Sequence, residues 1–206
     1  MAESYTQVPP NSTGNKIRTR TKVIGGHTVH EQAVYQTALP TYYALADAVA
    51  CAQNKQVISL YNAADSGVVL SIKKLFIINT QLASVTGVML RHDVKKITTH
   101  SAGTLVTPVA CDSGNPALPA GVTVRTAGTV TEGALLFPLT FNNDEVGATQ
   151  AFPSTTLLAG LNWMPEGQEI QEFRLREGEG LTIKQITNSA VGQFAWFVVF
   201  TLDEDV

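Results

Sequence analysis

The sequence is poor in charged residues: Asp, Glu, Lys and Arg make up only 15% of its 206 residues, against roughly a quarter in ordinary soluble domains. Hydrophobic residues reach 44%. Two interpretations are open: a partner covers part of the surface, or the surface is a β-rich one with many Thr, Ser and Asn side chains. The net charge of −3 creates no strong field toward nucleic acid or an anionic membrane, so neither is expected as a partner.

Cysteine is scarce and long apolar runs are absent. Cys51 and Cys111 lie far apart in the sequence, a pattern that gives neither a disulfide framework nor the spacing of a zinc site. Both are expected to be buried free thiols in a protein that folds in a reducing compartment. No run of about 18 apolar residues is present to span a membrane. Met1–Ser4 is not expected to begin a signal peptide, because no basic region followed by an apolar one is present.

Residues 1–22 contain almost nothing apolar to bury and are predicted to form an extended basic arm. The remaining residues, 23–206, are expected to form one domain. The basic side chains of the arm are Lys16, Arg18, Arg20 and Lys22. We expect this arm to bind an acidic surface of a neighbouring subunit, since the chain ends in an acidic run at 203–205. Four cations are too few for a convincing nucleic-acid site.

Short apolar or alternating runs, separated by Gly, Asn and Pro, follow one another from about residue 54 onward. They predict an all-β chain, specifically a jelly-roll-like antiparallel β-sandwich. The predicted strands are 56–61, 68–78, 85–99, 122–126, 129–141, 169–176, 181–186 and 193–202. The segment 42–51 is equally compatible with a short helix and a strand. Residues 100–121, rich in Gly and Pro, are predicted to be an exposed binding loop.

Three details of this pattern carry structural predictions. The alternation of Val68, Leu70 and Ile72 changes parity at Lys73, which predicts a bulge or a change of sheet. The turns at 62–67 and 177–180 are expected to close two similar hairpins. The run 193–202 is apolar on both parities, which predicts a central strand covered on both faces, by its own core and by a second layer or a neighbouring subunit.

Candidate catalytic residues are few. His27, His30 and Glu31 would share a metal only on a helix, and the residues between them favour a strand, so no metal site is predicted. His92 and Asp93 would face opposite ways on a strand. A hydrolase would need His92 or His100 to meet Ser101 or Asp112. The sequence therefore favours a protein that is not an enzyme and has no cofactor.

Aromatic side chains offer candidate contacts with a partner or ligand. Trp163, Tyr42 and Tyr43 are candidates for an interface or a ligand platform. Burial of Trp163 under a loop is the other interpretation. Trp196, inside the last apolar run, is expected in the core.

These features together resemble the small β-sandwich virion proteins of tailed bacteriophages. The resemblance rests on the polar basic arm, on the run 56–72 and on the run 177–183. It is a resemblance of pattern over about residues 54–203 and carries no diagnostic motif.

The resemblance implies a capsid decoration (cement) protein that stabilises the head by surface and arm contacts. Its expected partners are the major capsid protein or other virion proteins and further copies of itself, with a trimer favoured. Its expected location is the virion, assembled in the cytoplasm of a bacterial host. The alternative is a tail, head-fibre or baseplate component with a carbohydrate-binding β-sandwich.

Overall fold

The structure, a computed structural model, describes residues 19–24, 27–32, 39–80, 88–143, 157–162 and 173–204. Strand is the regular secondary structure throughout these ranges. The chain divides into two compact units, Met1–Ala38 and Leu39–Val206. The prediction of an all-β chain built from antiparallel sheets is confirmed.

The first unit contains a two-stranded antiparallel sheet of β1 (Thr19–Ile24) and β2 (His27–Gln32). The segment around Thr28 is thus a strand, as predicted. Two residues of the predicted arm, Arg20 and Lys22, belong to β1, whereas Lys16 and Arg18 lie outside the described residues. The boundary between the two compact units falls after Ala38, because β1 and β2 pair with each other and form a unit of their own. The basic arm at 1–22 stays a prediction.

The second unit contains two six-stranded antiparallel sheets, here called sheet I and sheet II. The strands of sheet I, in spatial order, are β10 (Thr129–Asn143), β6 (Val88–Ser101), β13 (Glu179–Gln185), β4 (Gln56–Asn62), β9 (Val122–Thr126) and β7 (Thr104–Val106). Those of sheet II are β11 (Leu157–Asn162), β5 (Val68–Asn79), β14 (Gln193–Glu204), β3 (Thr41–Ala50) and β8 (Val109–Ala110), with β12 (Phe173–Leu175) also paired to β5.

The two sheets share one hydrophobic core, which makes the unit a β-sandwich. Leu60 and Ile183 of sheet I and Ile72 and Trp196 of sheet II are each at most 1% exposed. Burial of these alternate side chains is the main force that holds the sheets together. The jelly-roll connectivity itself remains a prediction.

Several sequence predictions are confirmed by the strand pairing. The register of β14 against β5 shifts between Val199 and Phe200, which leaves Lys73 as the extra residue of a bulge. Strand β14 lies between β5 and β3 in the middle of sheet II. The segment 42–51 is strand β3, apart from its last residue. The segment 100–121, predicted as an irregular loop, is mostly exposed but includes the end of β6 and the short edge strands β7 and β8, so that prediction is only partly confirmed.

The two predicted hairpins are wrong. Strands β4 and β5 lie in different sheets, and so do β12 and β13. Each turn therefore carries the chain from one sheet to the other as an arch. An arch and a hairpin give the same alternating pattern, because in both cases each strand buries one face in the core.

The two arches lie beside each other, since β4 pairs with β13 and β5 with β12. The side-chain amide of Asn62 donates hydrogen bonds to the carbonyls of Val68 and Leu175, at 2.8 and 3.2 Å. The backbone N–H of Gly67 donates to the Glu177 carboxylate at 2.6 Å. Gly67 and Gly178 have φ angles of +71° and +76°, a region that favours glycine. The similarity between the two sequence segments thus reflects two equivalent arches.

Candidate interaction surface

The outer side of sheet I carries a network of paired polar groups. The Glu132 carboxylate accepts hydrogen bonds from Lys95 and Lys184, both at 2.7 Å, and from the Gln56 amide at 3.0 Å. Thr182 donates to the Gln56 carbonyl at 2.7 Å. Partial burial raises the pKa of Glu132, but the hydrogen bonds from Lys184, Lys95 and Gln56 and the charge of Lys184 outweigh it, so the pKa falls to about 2. These groups stabilise each other and leave little polar capacity for a ligand.

His100 also lies on this side of sheet I and links two neighbouring strands. Its Nε2 is 2.9 Å from Ser59 Oγ and its Nδ1 is 3.1 Å from Thr123 Oγ1. Burial, assisted by the charge of Arg125, lowers the pKa of His100 to about 4. The prediction that a hydrolase would pair a histidine with Ser101 or Asp112 is not met at His100, whose partners are Ser59 and Thr123.

The contact between Ser59 and His100 looks like half of a catalytic triad but has other properties. Ser59 is 1% exposed, so a substrate carbonyl has no route to its hydroxyl. The third group, Thr123, is a hydroxyl and supplies no carboxylate to stabilise an imidazolium. The geometry therefore fits a structural link between β6, β4 and β9.

His92 lies on the inner side of sheet I. It is fully buried, and its ring centroid is 4.7 Å from that of Trp196. Burial lowers the pKa of His92 to about 4, although the Asp93 carboxylate acts in the opposite direction. Asp93 points to the other face, where it pairs with Arg91 at 2.9 Å. The prediction that His92 and Asp93 face opposite ways is confirmed.

The two cysteines differ from each other. Cys51 is buried, and burial raises the pKa of its thiol to about 11 despite the nearby charge of Lys55. Cys111 is exposed, so the prediction of a buried thiol is wrong for this residue. Among the residues that the structure describes, no group of three His, Cys, Asp or Glu side chains could hold a metal ion. Within the same residues, no helix has the length and hydropathy needed to cross a membrane.

The outer side of sheet II has a different character. We call it the outer aromatic face and define it by Tyr43, Leu45, Phe76, Phe197 and Val199. The register places Phe197 between Leu45 on β3 and Phe76 on β5, and places Val199 beside Tyr43. The ring centroids of Phe197 and Tyr43 are 5.3 Å apart, and those of Phe197 and Phe76 are 5.9 Å apart. The five side chains thus form one continuous apolar surface.

This face is only partly covered. Leu45 is 44% exposed, and Val109, which lies beside Tyr43 at the sheet edge, is 47% exposed. Tyr43, Phe76 and Phe197 are half-buried. The Lys74 ammonium lies 5.9 Å from the centroid of the Phe76 ring, a cation–π distance. Aromatic and branched aliphatic side chains with this exposure are typical of a contact surface between proteins.

The predicted platform residues have different positions. Tyr43 belongs to the outer aromatic face. Tyr42 is 2% exposed, with its ring 5.9 Å from that of Phe200 and its hydroxyl donating to the Pro116 carbonyl. Tyr42 is therefore a core residue and not an exposed platform, because adjacent strand residues face opposite ways. Trp163 lies outside the described residues.

Sequence reasoning did not identify Phe76 and Phe197 as candidates for this surface. The signal was present in the run 193–202, whose apolar residues occupy both parities. One parity, which includes Trp196 and Phe200, forms the core. The other parity, which includes Phe197 and Val199, forms the outer aromatic face.

Comparison of the chain with protein-family models, with curated proteins and with solved structures finds no match. The fold therefore defines the class, an antiparallel β-sandwich that carries a cluster of aromatic and aliphatic side chains on the outer side of sheet II.

Proposed function

We propose that this chain is a structural protein that attaches to other protein subunits through the outer aromatic face. The observation that supports the proposal is the continuous, partly exposed surface around Phe197. Soluble monomers rarely expose large contiguous apolar patches. Each Å² of apolar surface that a partner covers contributes about 25 cal/mol, so covering these side chains favours assembly.

The specific role we propose is that of a virion structural protein, namely a capsid decoration (cement) protein. Two features support it beyond the apolar face: the low charged fraction of 15% and the resemblance to small phage virion sandwiches. In this role the major capsid protein or another virion protein covers part of the surface, and copies of the chain associate with each other. Lys16, Arg18, Arg20 and Lys22 tether the subunit to an acidic neighbour. The proposed location is the virion, assembled in a bacterial cytoplasm.

A second role is supported by the aromatic rings themselves. Tyr43, Phe76 and Phe197 lie on the same outer side of sheet II, and aromatic rings offer large apolar surfaces on which the apolar side of a sugar can pack. A tail, head-fibre or baseplate component with a carbohydrate-binding sandwich would use the same surface. A glycan array separates the two roles: a glycan bound by the wild type and lost in Tyr43→Ala favours the fibre component, and an array without hits favours the decoration protein.

The proposed function is tested by binding to particles. Purified chain is mixed with phage heads that lack it, and bound protein is measured by co-sedimentation and located by electron microscopy. We expect Phe197→Glu to abolish binding, because it places a charge in the middle of the apolar face. The matched control is Met89→Glu, which adds the same charge at a 66% exposed position on sheet I. Equal binding of wild type and Phe197→Glu would contradict the proposal.

A further inference from the structure

Asp47 and Lys74, an acidic and a basic side chain, flank the outer aromatic face in a symmetric arrangement. Phe197 lies opposite Leu45 on one side and Phe76 on the other. Asp47 is two residues beyond Leu45 along β3, and Lys74 is two residues before Phe76 along β5. Strands β3 and β5 run in the same direction, because each is antiparallel to β14. Asp47 and Lys74 therefore lie on opposite sides of Phe197.

Both charges are at similar distances from Phe197. Each lies one strand away from Phe197, roughly 4.8 Å, and two residues along the strand, at roughly 3.4 Å per residue. The distance from Phe197 to either residue is therefore roughly 8 Å in the plane of the sheet. Asp47 is exposed and Lys74 is half-buried. The alternation of Tyr43, Leu45 and Asp47, with the buried Ala44 and Ala46 between them, puts Asp47 on the same outer side as the aromatic residues.

From this arrangement we infer that the outer aromatic face binds the same face of a second copy of this chain. A two-fold axis through Phe197, lying between the two faces, brings each Asp47 onto the Lys74 of the other copy. Asp47 and Lys74 are each displaced from Phe197 by one strand across the sheet and two residues along it, in opposite directions. To superpose the two pairs, the strands of the two copies must cross at about 70°, near the orthogonal class of sheet packing. Phe197 then packs on its own counterpart, as residues on the axis of an isologous interface do.

The charges specify this partner, whereas the apolar residues alone would not. An isologous contact forms two Asp47–Lys74 pairs at once, one on each side of the axis. A face rotated or shifted from this arrangement loses both pairs. Charge pairs at the rim of an interface fix its register more than its strength. The inference rests on the proposed function, since it names the partner for the same face.

The test uses charge reversal in the full chain, with mass measured by sedimentation equilibrium. We expect the wild type to have twice the 22.0 kDa mass of one chain. Asp47→Lys and Lys74→Asp, each alone, create two repulsive contacts and weaken the dimer by about tenfold or more. Mixing the two variants restores association, because the mixed dimer again has two attractive pairs. Lys96→Glu, a reversal at a partly exposed position on sheet I, is the matched control and leaves the dimer unchanged.

Several outcomes would overturn the inference. They are a wild type that is monomeric at all concentrations, a trimer, and a dimer that is insensitive to both reversals. Binding of the same proteins to phage heads is measured in parallel. A monomer that still binds heads would exclude the second copy as partner and would leave the proposed function standing. A dimer without affinity for heads would support the second copy as partner and would contradict the proposed function.

Discussion

The outer sides of the two sheets differ in which side chains they present: a paired polar network on sheet I and partly exposed aromatic rings on sheet II. On sheet I, Glu132, Lys95 and Lys184 pair with each other, so the polar groups are satisfied within the chain. On sheet II, Phe76 and Phe197 remain partly uncovered, and Phe197 has the apolar Leu45 and Phe76 on its two sides. The polar network of the first surface is complete in the single chain, although Met89, Leu105 and Leu135 are exposed on strands of the same sheet. The second gains free energy only when another molecule covers it, which is why we assign function to sheet II.

Substitutions at two adjacent residues of β14 test most sharply whether its inner and outer sides differ. Trp196→Ala removes a ring that is 1% exposed in the core, and we expect a loss of about 4 kcal/mol in the free energy of unfolding. Phe197→Ala removes a ring from the outer face and should cost about 1 kcal/mol in a non-associated chain. Urea unfolding at low protein concentration measures both. Equal losses would mean that the outer face is a second core.

Acid should weaken the chain through its buried histidines. The pKa values of His92 and His100 lie near 4, below the value of about 6.5 in an unfolded chain. The unfolded state therefore binds more protons between these values, so stability falls as the pH drops from 6.5 to 4. The limit for His92 is about 3 kcal/mol. Urea unfolding across this range should show a smaller loss in His92→Gln than in the wild type, and an unchanged slope would contradict the assignment.

The polar network of sheet I is tested by Glu132→Gln. Lys95 and Lys184 would then lie close together without a carboxylate, and we expect a loss of about 2 kcal/mol at pH 7. The control is Glu179→Gln, which affects the exposed, 3.7 Å ion pair with Lys96 and should cost about 0.5 kcal/mol. The contribution of Glu132 is present above a pH of about 4.5 and is lost as the pH falls toward 2. Equal losses in the free energy of unfolding would show that the network stabilises the chain no more than an exposed ion pair does.

The smallest effect on folding is expected from the basic arm. Replacing Lys16, Arg18, Arg20 and Lys22 by Gln keeps the length of the chain and should leave the unfolding of the sandwich within about 0.5 kcal/mol of wild type. Binding to phage heads should be lost, and it should weaken with salt in the wild type. This substitution is preferable to deleting residues 1–22, because the deletion would cut into β1. Unchanged binding would remove the tethering role.

Local patterns predicted the longer strands of the sandwich and the position of Trp196, because burial imposes a period of two on each strand. They missed β1, β7, β8 and β11. The bulge at Lys73 was visible for the same reason, as a break in that period. Which strands pair was not visible: β4 and β5 read as a hairpin but belong to different sheets. The contact between His100 and Ser59 joins residues that are distant in the sequence, and no local pattern carries such a contact.

The candidate surface was predictable only in part. Tyr42 and Tyr43 looked alike in the sequence, and the choice between them depends on which parity of β3 faces the core. Ala44 and Ala46 are buried with Tyr42 on the inward side. Because alanine is small and occurs on both sides of a strand, the sequence did not show which side this would be. Phe76 belongs to the surface because the bulge at Lys73 shifts the parity of β5.

The central claim is that a partner covers the outer aromatic face. Hydroxyl-radical footprinting with mass spectrometry tests it most directly, by comparing oxidation of Tyr43, Phe76 and Phe197 in dilute chain and in assembled particles, with Met89 as the internal control. We predict that the three rings are oxidised in the dilute chain and protected in the assembly, while Met89 is oxidised in both. Equal oxidation of the three rings in the two samples would contradict the claim.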